Sequence, residues 1–400
     1  PAELEAFEYC ARARQRINSM GLKSIEEARA DLERAIELDP GYALAHSSLG
    51  HLYCMRFIAT TATADLETAV GHLERARALD SELGDTEIWS AYAYARLGRF
   101  DEANAAGRRA VELEPDSPMA HYQLAVSLWI RGVVGRDVSG YAEAVRHLQR
   151  VTEMAPRYPA GHQILGSIYL ACGSYEKAEG LFARAAAIER SGEFELARFV
   201  GGTALQGRSA FRRGRFDDAR RLLDDGLRVA GEIDHVYSAA VRAQASVWIG
   251  DLLLRRQGAA EALRAYREAS EQIAASPRSL GMGWVRIRAE LGLARAFRAL
   301  MMQREAKRSL AEAVALLGSR DGYDFACIWE GGEGEMRAEL ALAHAAAGRR
   351  AEALDELERA YSAGWRDAGR LSGEPAFESL ADEPRRAELL GRFASEAPLP

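Results

Sequence analysis

Three histidines recur at one position of a repeating pattern: His46, His121 and His162. Imidazoles at regular spacing could hold a metal ion or relay protons. A metal needs ligands converging within about 2 Å of one ion, whereas packed helices stand roughly 10 Å apart. Packing is therefore the expected role of these rings. His46 and His51 do not share a helical face either. Cys10, Cys54, Cys172 and Cys327 form no CxxC motif. They read as small apolar residues of a reducing compartment, with no disulfide and no structural metal expected. The glycine clusters Gly201-Gly202 and Gly331-Gly332-Glu333-Gly334 lack the spacings that cradle phosphate. GxSxG and HExxH are absent as well. Carboxylates such as Glu33 and Glu37 stand beside Arg34, as on a solvated helix face. These patterns predict no catalytic residue and no cofactor, so a non-enzyme is the expectation.

The elements that carry these residues are helices. Hydrophobic residues make up 48% of the 400 and charged residues 28%, as in a soluble folded protein. Ala, Leu, Glu and Arg dominate, Pro is scarce, and strand-like alternation is nearly missing. A chain of this length outgrows one compact core. It must divide, or it must repeat. The net charge of -7 lies wholly in the first half, and no basic patch marks a nucleic-acid partner. No apolar run reaches the ~18 residues of a membrane span. The first residues, Pro1-Ala2-Glu3-Leu4-Glu5, lack Met and the parts of a signal peptide, which suggests a cytoplasmic piece of a longer chain.

Self-similarity then organises the whole sequence. The cleanest unit is residues 161–188. It places His162, Leu165, Gly166 and Tyr169 in one helix, Gly173 and Tyr175 at a turn, and Ala178, Phe182 and Ala185 in a second helix. Small residues would sit where two helix axes come close, and large ones between neighbouring pairs. The second-helix alanine recurs as Ala28, Ala69, Ala103, Ala144, Ala178, Ala219, Ala262, Ala306 and Ala353. Nine helix pairs result. Extra residues fall around Phe57–Asp65 and Val133–Ser139, as longer helices or as loops. Pro40, Pro115 and Pro156 close units, because Pro cannot continue a helix.

This pattern resembles the tetratricopeptide repeat, with His in the usual leading Trp position. The resemblance implies an all-α fold, a right-handed α-solenoid (superhelix) of about nine pairs. We expect units one to five in residues 1–190, longer units six to nine in 191–362, and a capping tail in 363–400. The start, with Tyr9, Arg12 and Arg14, and the tail, with Trp365, Phe377 and Leu380, resemble tetratricopeptide regions of bacterial signalling proteins. Such regions accompany adenylate cyclases, winged-helix regulators and Ser/Thr kinases. The expected function is accordingly a non-catalytic scaffold for a protein or peptide partner with an apolar segment, covalently linked to a signalling domain in a longer chain.

Concave-face positions carry over by register. Unit two gives Leu44, Ser47, His51, Cys54 and Met55. Unit three gives Asp85, Ile88, Tyr92, Ala95 and Arg96. Unit four gives Met119, Tyr122, Val126, Trp129 and Ile130. Unit five gives Ala160, Gln163, Ser167, Leu170 and Ala171. Together they predict an apolar, aromatic groove suited to hot-spot binding. The competing reading covers this patch with loops, the tail or neighbouring units. Two other functions stay open: a small-molecule or lipid sensor using the groove or a wider cavity in units six to nine, and an atypical enzyme on a helical solenoid.

Overall fold

The computed structural model describes residues 2–135, 137–196, 199–276, 281–318 and 332–395. Cys327, Gly331 and Arg136 lie outside them. Every regular element among the described residues is helical, and none of these helices is long and apolar enough to cross a membrane. The first five antiparallel pairs are α1 (Ala2–Asn18) with α2 (Leu22–Leu38), α3 (Ala43–Thr60) with α4 (Thr63–Leu79), α5 (Gly84–Arg96) with α6 (Phe100–Leu113), α7 (Pro118–Gly135) with α8 (Tyr141–Met154), and α9 (Pro159–Ala171) with α10 (Tyr175–Ser191). Four more follow: α11 (Gly202–Arg212) with α12 (Phe216–Glu232), α13 (Ser238–Arg255) with α14 (Ala259–Ala275), α15 (Met282–Ala299) with α16 (Gln303–Gly318), and α17 (Gly332–Ala346) with α18 (Arg350–Ser362). The tail adds α19 (Ala368–Gly373), a 3-10 turn at Pro375–Leu380, and α20 (Pro384–Ser395). The described residues thus form an α-solenoid of nine pairs.

The sequence builds each pair by a repeated device. All nine ruler alanines lie in second helices and are buried, because a larger side chain would push the paired axes apart. Opposite Ala178, Gly166 admits the Phe182 ring: a Cβ there would stand 2.6 Å from it. The turn inside a pair is as regular. Its middle residue takes a left-handed conformation at Gly98, Gly173, Gly214 and Gly348, and the next N–H returns to a carbonyl of the first helix, as from Ser174 to Tyr169 at 2.8 Å. Met20, Gln257 and Met301 occupy the same slot without being glycine. The extra residues of pair two lengthen both helices, so that α3 has 18 residues where α5 has 13. Those of pair four lengthen α7 and add a 3-10 turn at Val138–Gly140.

First helices line the inside of the coil, and the coil is tight enough to touch itself. Val236, between α12 and α13, donates its N–H to the Met20 carbonyl at 3.0 Å. The α17 helix packs across the interior on α7. Tyr175, at the start of α10, donates its hydroxyl to Asp367 in the tail at 2.5 Å. The tail also lays Trp365, Phe377 and Leu380 on the apolar faces of α17 and α18, around Leu342, Leu354 and Leu357.

The recurring histidines have one shared task. The Nε2 atoms of His46, His121 and His162 approach the carbonyls of Pro40, Pro115 and Pro156 at 3.3, 3.0 and 2.9 Å. Each ring ties the start of a first helix to the turn that ends the previous pair. Burial lowers the pKa of His46 and His162, and also of His72, His147 and His344, while His51 falls well below the ordinary 6.5. The folded state therefore binds fewer protons than the unfolded chain below about pH 6.5, and stability must fall as pH drops through that value. We expect a clearly lower melting temperature at about pH 5.5 than at about pH 7.5, with a shallower dependence in His162→Phe. A melting temperature flat across this range contradicts the assignment.

Candidate functional site

Of the positions expected to form a groove, His51, Met55, Tyr92, Met119 and Tyr122 face one inner space, and most of the set is not open to solvent. Ser47, His51, Met55, Ile88, Tyr92, Arg96, Tyr122, Val126, Trp129, Gln163 and Ser167 are buried, and Leu44, Met119 and Leu170 are half-buried. His51 stacks on Trp89 with ring centres 3.4 Å apart. Tyr122 meets Tyr158 edge-on at 5.2 Å, and Trp129 packs against Tyr141 at 4.8 Å. Ser47 donates to Asp85 at 2.7 Å, and Asp85 also accepts from Arg14 of the first pair. Gln163 gives its amide to the Val200 carbonyl. Phe199, Tyr237 and Met20 close over the aromatic wall, leaving a void of only about 50 Å³. The open groove is thus replaced by an internal packing layer. Its cause is the pitch of the coil, which brings the segments before α11 and α13 onto the concave face. Trp129 is 1% exposed, so Trp129→Ala should cost about 3–5 kcal/mol of stability by cavity formation, read from urea denaturation.

The inner wall of pairs six to nine is built differently. Arg208 and Arg212 stand one turn apart on α11, Glu335 and Glu339 one turn apart on α17, and Arg288 and Arg295 two turns apart on α15. Asp251 comes from α13 and Arg370 from α19. Each helix thereby turns one charged stripe inward. Asp251 accepts from Arg208 at 3.2 Å, Arg288 at 2.5 Å, Arg295 at 2.8 Å and the Tyr266 hydroxyl at 2.8 Å. Glu339 accepts from Arg370 at 2.7 Å and lies 3.2 Å from Arg288. Glu335 pairs with Arg212 and with Arg370 at 3.0 Å, and accepts a hydrogen bond from the Trp365 indole N–H at 3.1 Å. Burial by itself would raise all three carboxyl pKa values. The surrounding guanidinium groups outweigh it, and Asp251, Glu335 and Glu339 are all lowered. Asp367 goes the other way, because burial dominates there.

A cavity of about 470 Å³ opens beside this cluster. Arg208, Arg295, Arg370, Asp251 and Glu339 form its polar wall, with Phe211, Leu254 and Leu342 among the apolar residues facing it. Arg255, Arg298, Glu374 and the 77%-exposed Met301 stand at its rim.

Tetratricopeptide repeat models match residues 19–42, 84–127, 136–193 and 205–277. These stretches span α2, α5 and α6 with the start of α7, α8 to α10, and α11 to α14. The chain is a tetratricopeptide repeat protein. A protein of Rhizobium meliloti (strain 1021) named "Putative adenylate cyclase 3" is 36% identical over 105 residues, 26% of this chain and 18% of that protein. The chain therefore matches less than a fifth of that relative's length. PilF of Pseudomonas aeruginosa is 16% identical, covering 57% of this chain and 93% of PilF, with a TM-score of 0.41. YrrB, described as a tetratricopeptide protein with an unusual peptide-binding site, is 24% identical, covering 46% of this chain and 87% of YrrB, with a TM-score of 0.30.

Within this tetratricopeptide coil, reading the sequence missed the charged wall. Its signals were present: Arg208 and Arg212, Glu335 and Glu339, and Arg288 and Arg295 all repeat at helical spacing on first helices. Such stripes read as solvated faces until the coil is closed over them. Asp251 accepts hydrogen bonds from three guanidinium groups and from the Tyr266 hydroxyl. Breaking a buried pair leaves its partner charge uncompensated. We expect Asp251→Asn to destabilise the chain by about 3–5 kcal/mol, measured by urea denaturation, and a loss below about 1 kcal/mol would show that the cluster is solvated.

Proposed function

We propose that this tetratricopeptide chain is a non-catalytic interaction scaffold and acts as the regulatory or sensory region of a bacterial signalling protein. The observation that carries this reading is the rim of the large cavity. Met301 is 77% exposed there and its neighbour Met302 36%. Methionine adapts to irregular apolar partners, and Met301 also holds a left-handed backbone that costs a non-glycine residue about 1–2 kcal/mol. A partner with an apolar segment would find both thioethers presented on a short, well-anchored turn, where Met302 returns its N–H to Phe297 at 2.8 Å. The 105-residue likeness to the cyclase-named protein supports attachment to a signalling enzyme. The buried thiols of Cys10 and Cys54 suit a cytoplasmic setting.

In this reading the aromatic wall of pairs two to four supports the fold, and contact with the partner runs through pairs six to nine. The test uses the full chain as bait for its partner in cells of the source organism. Met301→Glu with Met302→Glu should weaken capture of that partner by about tenfold or more, with the helical circular dichroism signal unchanged. Undiminished capture by the folded double variant removes the rim from the interface. Absence of any reproducible partner removes the scaffold reading itself.

A further inference from the structure

The two ends of the coil are finished differently. At one end the tail lays Trp365, Phe377 and Leu380 on α17 and α18. At the other, α1 packs on α2 and α3, and no helix pair among the described residues lies on its remaining side. Terminal units of a stacked solenoid ordinarily turn a polar face outward. Here Leu4 is 60% exposed and Phe7 56%. Ala11, one turn further on, is exposed as well. The spacing i, i+3, i+7 places all three on one stripe of the helix. That stripe is separate from the buried one formed by Ala6, Cys10, Ala13 and Ile17, which faces the core.

The charges beside the exposed stripe are ordered along the helix. Glu3, Glu5 and Glu8 occupy its first half, and Arg12, Arg14 and Arg16 its second. This order suits the helix's own dipole. It also makes the face complementary to a reversed copy of itself. Two α1 helices side by side and antiparallel bring each acidic half against a basic half, whereas a parallel pair sets Glu against Glu and Arg against Arg. The arginines are held in place from behind: Arg12 and Arg16 both bind Asp31 of α2, and Arg14 binds Asp85 of α5. Arg12 nonetheless remains 49% exposed and Arg16 34%. A guanidinium group carries five N–H donors, so each can also serve a carboxylate arriving from outside.

We propose that α1 is a self-association surface, on which two copies of the chain pack antiparallel across a two-fold axis near the middle of the helix. Phe7 of each copy covers Ala11 of the partner subunit, where the small side chain lets the helix axes approach. Glu8 then meets Arg12 of the partner subunit on the flank. A two-fold contact uses the same patch on both copies and closes on itself. The face is one helix wide, so the dimer belongs to the weak class of interfaces. It needs no other partner, and therefore stands or falls apart from the Met301 rim.

Sedimentation velocity of the full chain, from about 1 to about 100 μM, tests the proposal. A monomer–dimer equilibrium is expected within this range. Phe7→Glu should weaken the dimer about tenfold or more, with the helical circular dichroism signal unchanged, because Phe7 lies outside the core. Should that variant fail to fold, Leu4→Glu carries the same test. Cysteine pairing reads the orientation. Under mild oxidation Ala11→Cys should give more disulfide-linked dimer than the parent chain, because the axis passes close to it. Leu4→Cys should not, since antiparallel packing sets the two Leu4 positions about 15 Å apart along the helices. A chain that stays monomeric throughout, a dimer undiminished in the folded variant, or a Leu4→Cys crosslink as strong as that of Ala11→Cys overturns the proposal.

Discussion

Asp251 and Glu339 hold the second half of the solenoid against its own tail. Without them, guanidinium groups from α11, α15 and α19 would crowd together in a poorly solvated space and repel. With them, Arg370 is drawn into the interior at 2.7 Å from Glu339. That seating positions the tail. Asp367 then caps the backbone of Arg370 at 2.9 Å and reaches Tyr175 in pair five. One buried ionic contact therefore ties pairs six to nine, the tail and the middle of the coil together. The coil stays closed, and α17 stays against α7.

The two halves of the inner surface solve the same problem by different means. In pairs two to five the interior is filled by rings and thioethers, which interdigitate at organic-crystal density. In pairs six to nine it is filled by charges, which must each meet several partners in fixed directions. The ionic solution gives little net stability, since desolvation offsets most of the attraction. What it adds is orientation: a guanidinium plane between two carboxylates accepts far fewer arrangements than a leucine does. The register of the tail against α17 is set by that directionality, while Trp365, Phe377 and Leu380 supply the burial.

How much of this could be seen in the sequence depends on the range of the interaction. The pairs were legible because their cause is local: a small residue at Ala178 opposite Gly166, and a turn at Gly173. The shared face of Tyr92, Tyr122 and Trp129 was legible for the same reason, since register on one helix fixes it. That this face is covered stood in the sequence only as the competing reading, with nothing to say which segments cover it. Phe199 and Tyr237 reach it only through the pitch of the coil, which sums small rotations over several pairs. The proline-to-histidine contacts lay between, for the six-residue spacing from Pro156 to His162 recurs at Pro40 and Pro115. The stripe of Arg288 and Arg295 had an ordinary meaning as a solvated face, and only closure of the coil reverses it.

Closure also explains where space is left. Aromatic rings can slide and tilt until little remains, and about 50 Å³ is left beside Trp89 and Tyr122. A guanidinium group cannot: its position is fixed by Asp251 or Glu339, and moving it into the gap would break those bonds. The second half consequently keeps about 470 Å³ beside its charges. The same closed coil that seals the aromatic wall thus leaves a shaped, charged space at the one rim where Met301 meets solvent.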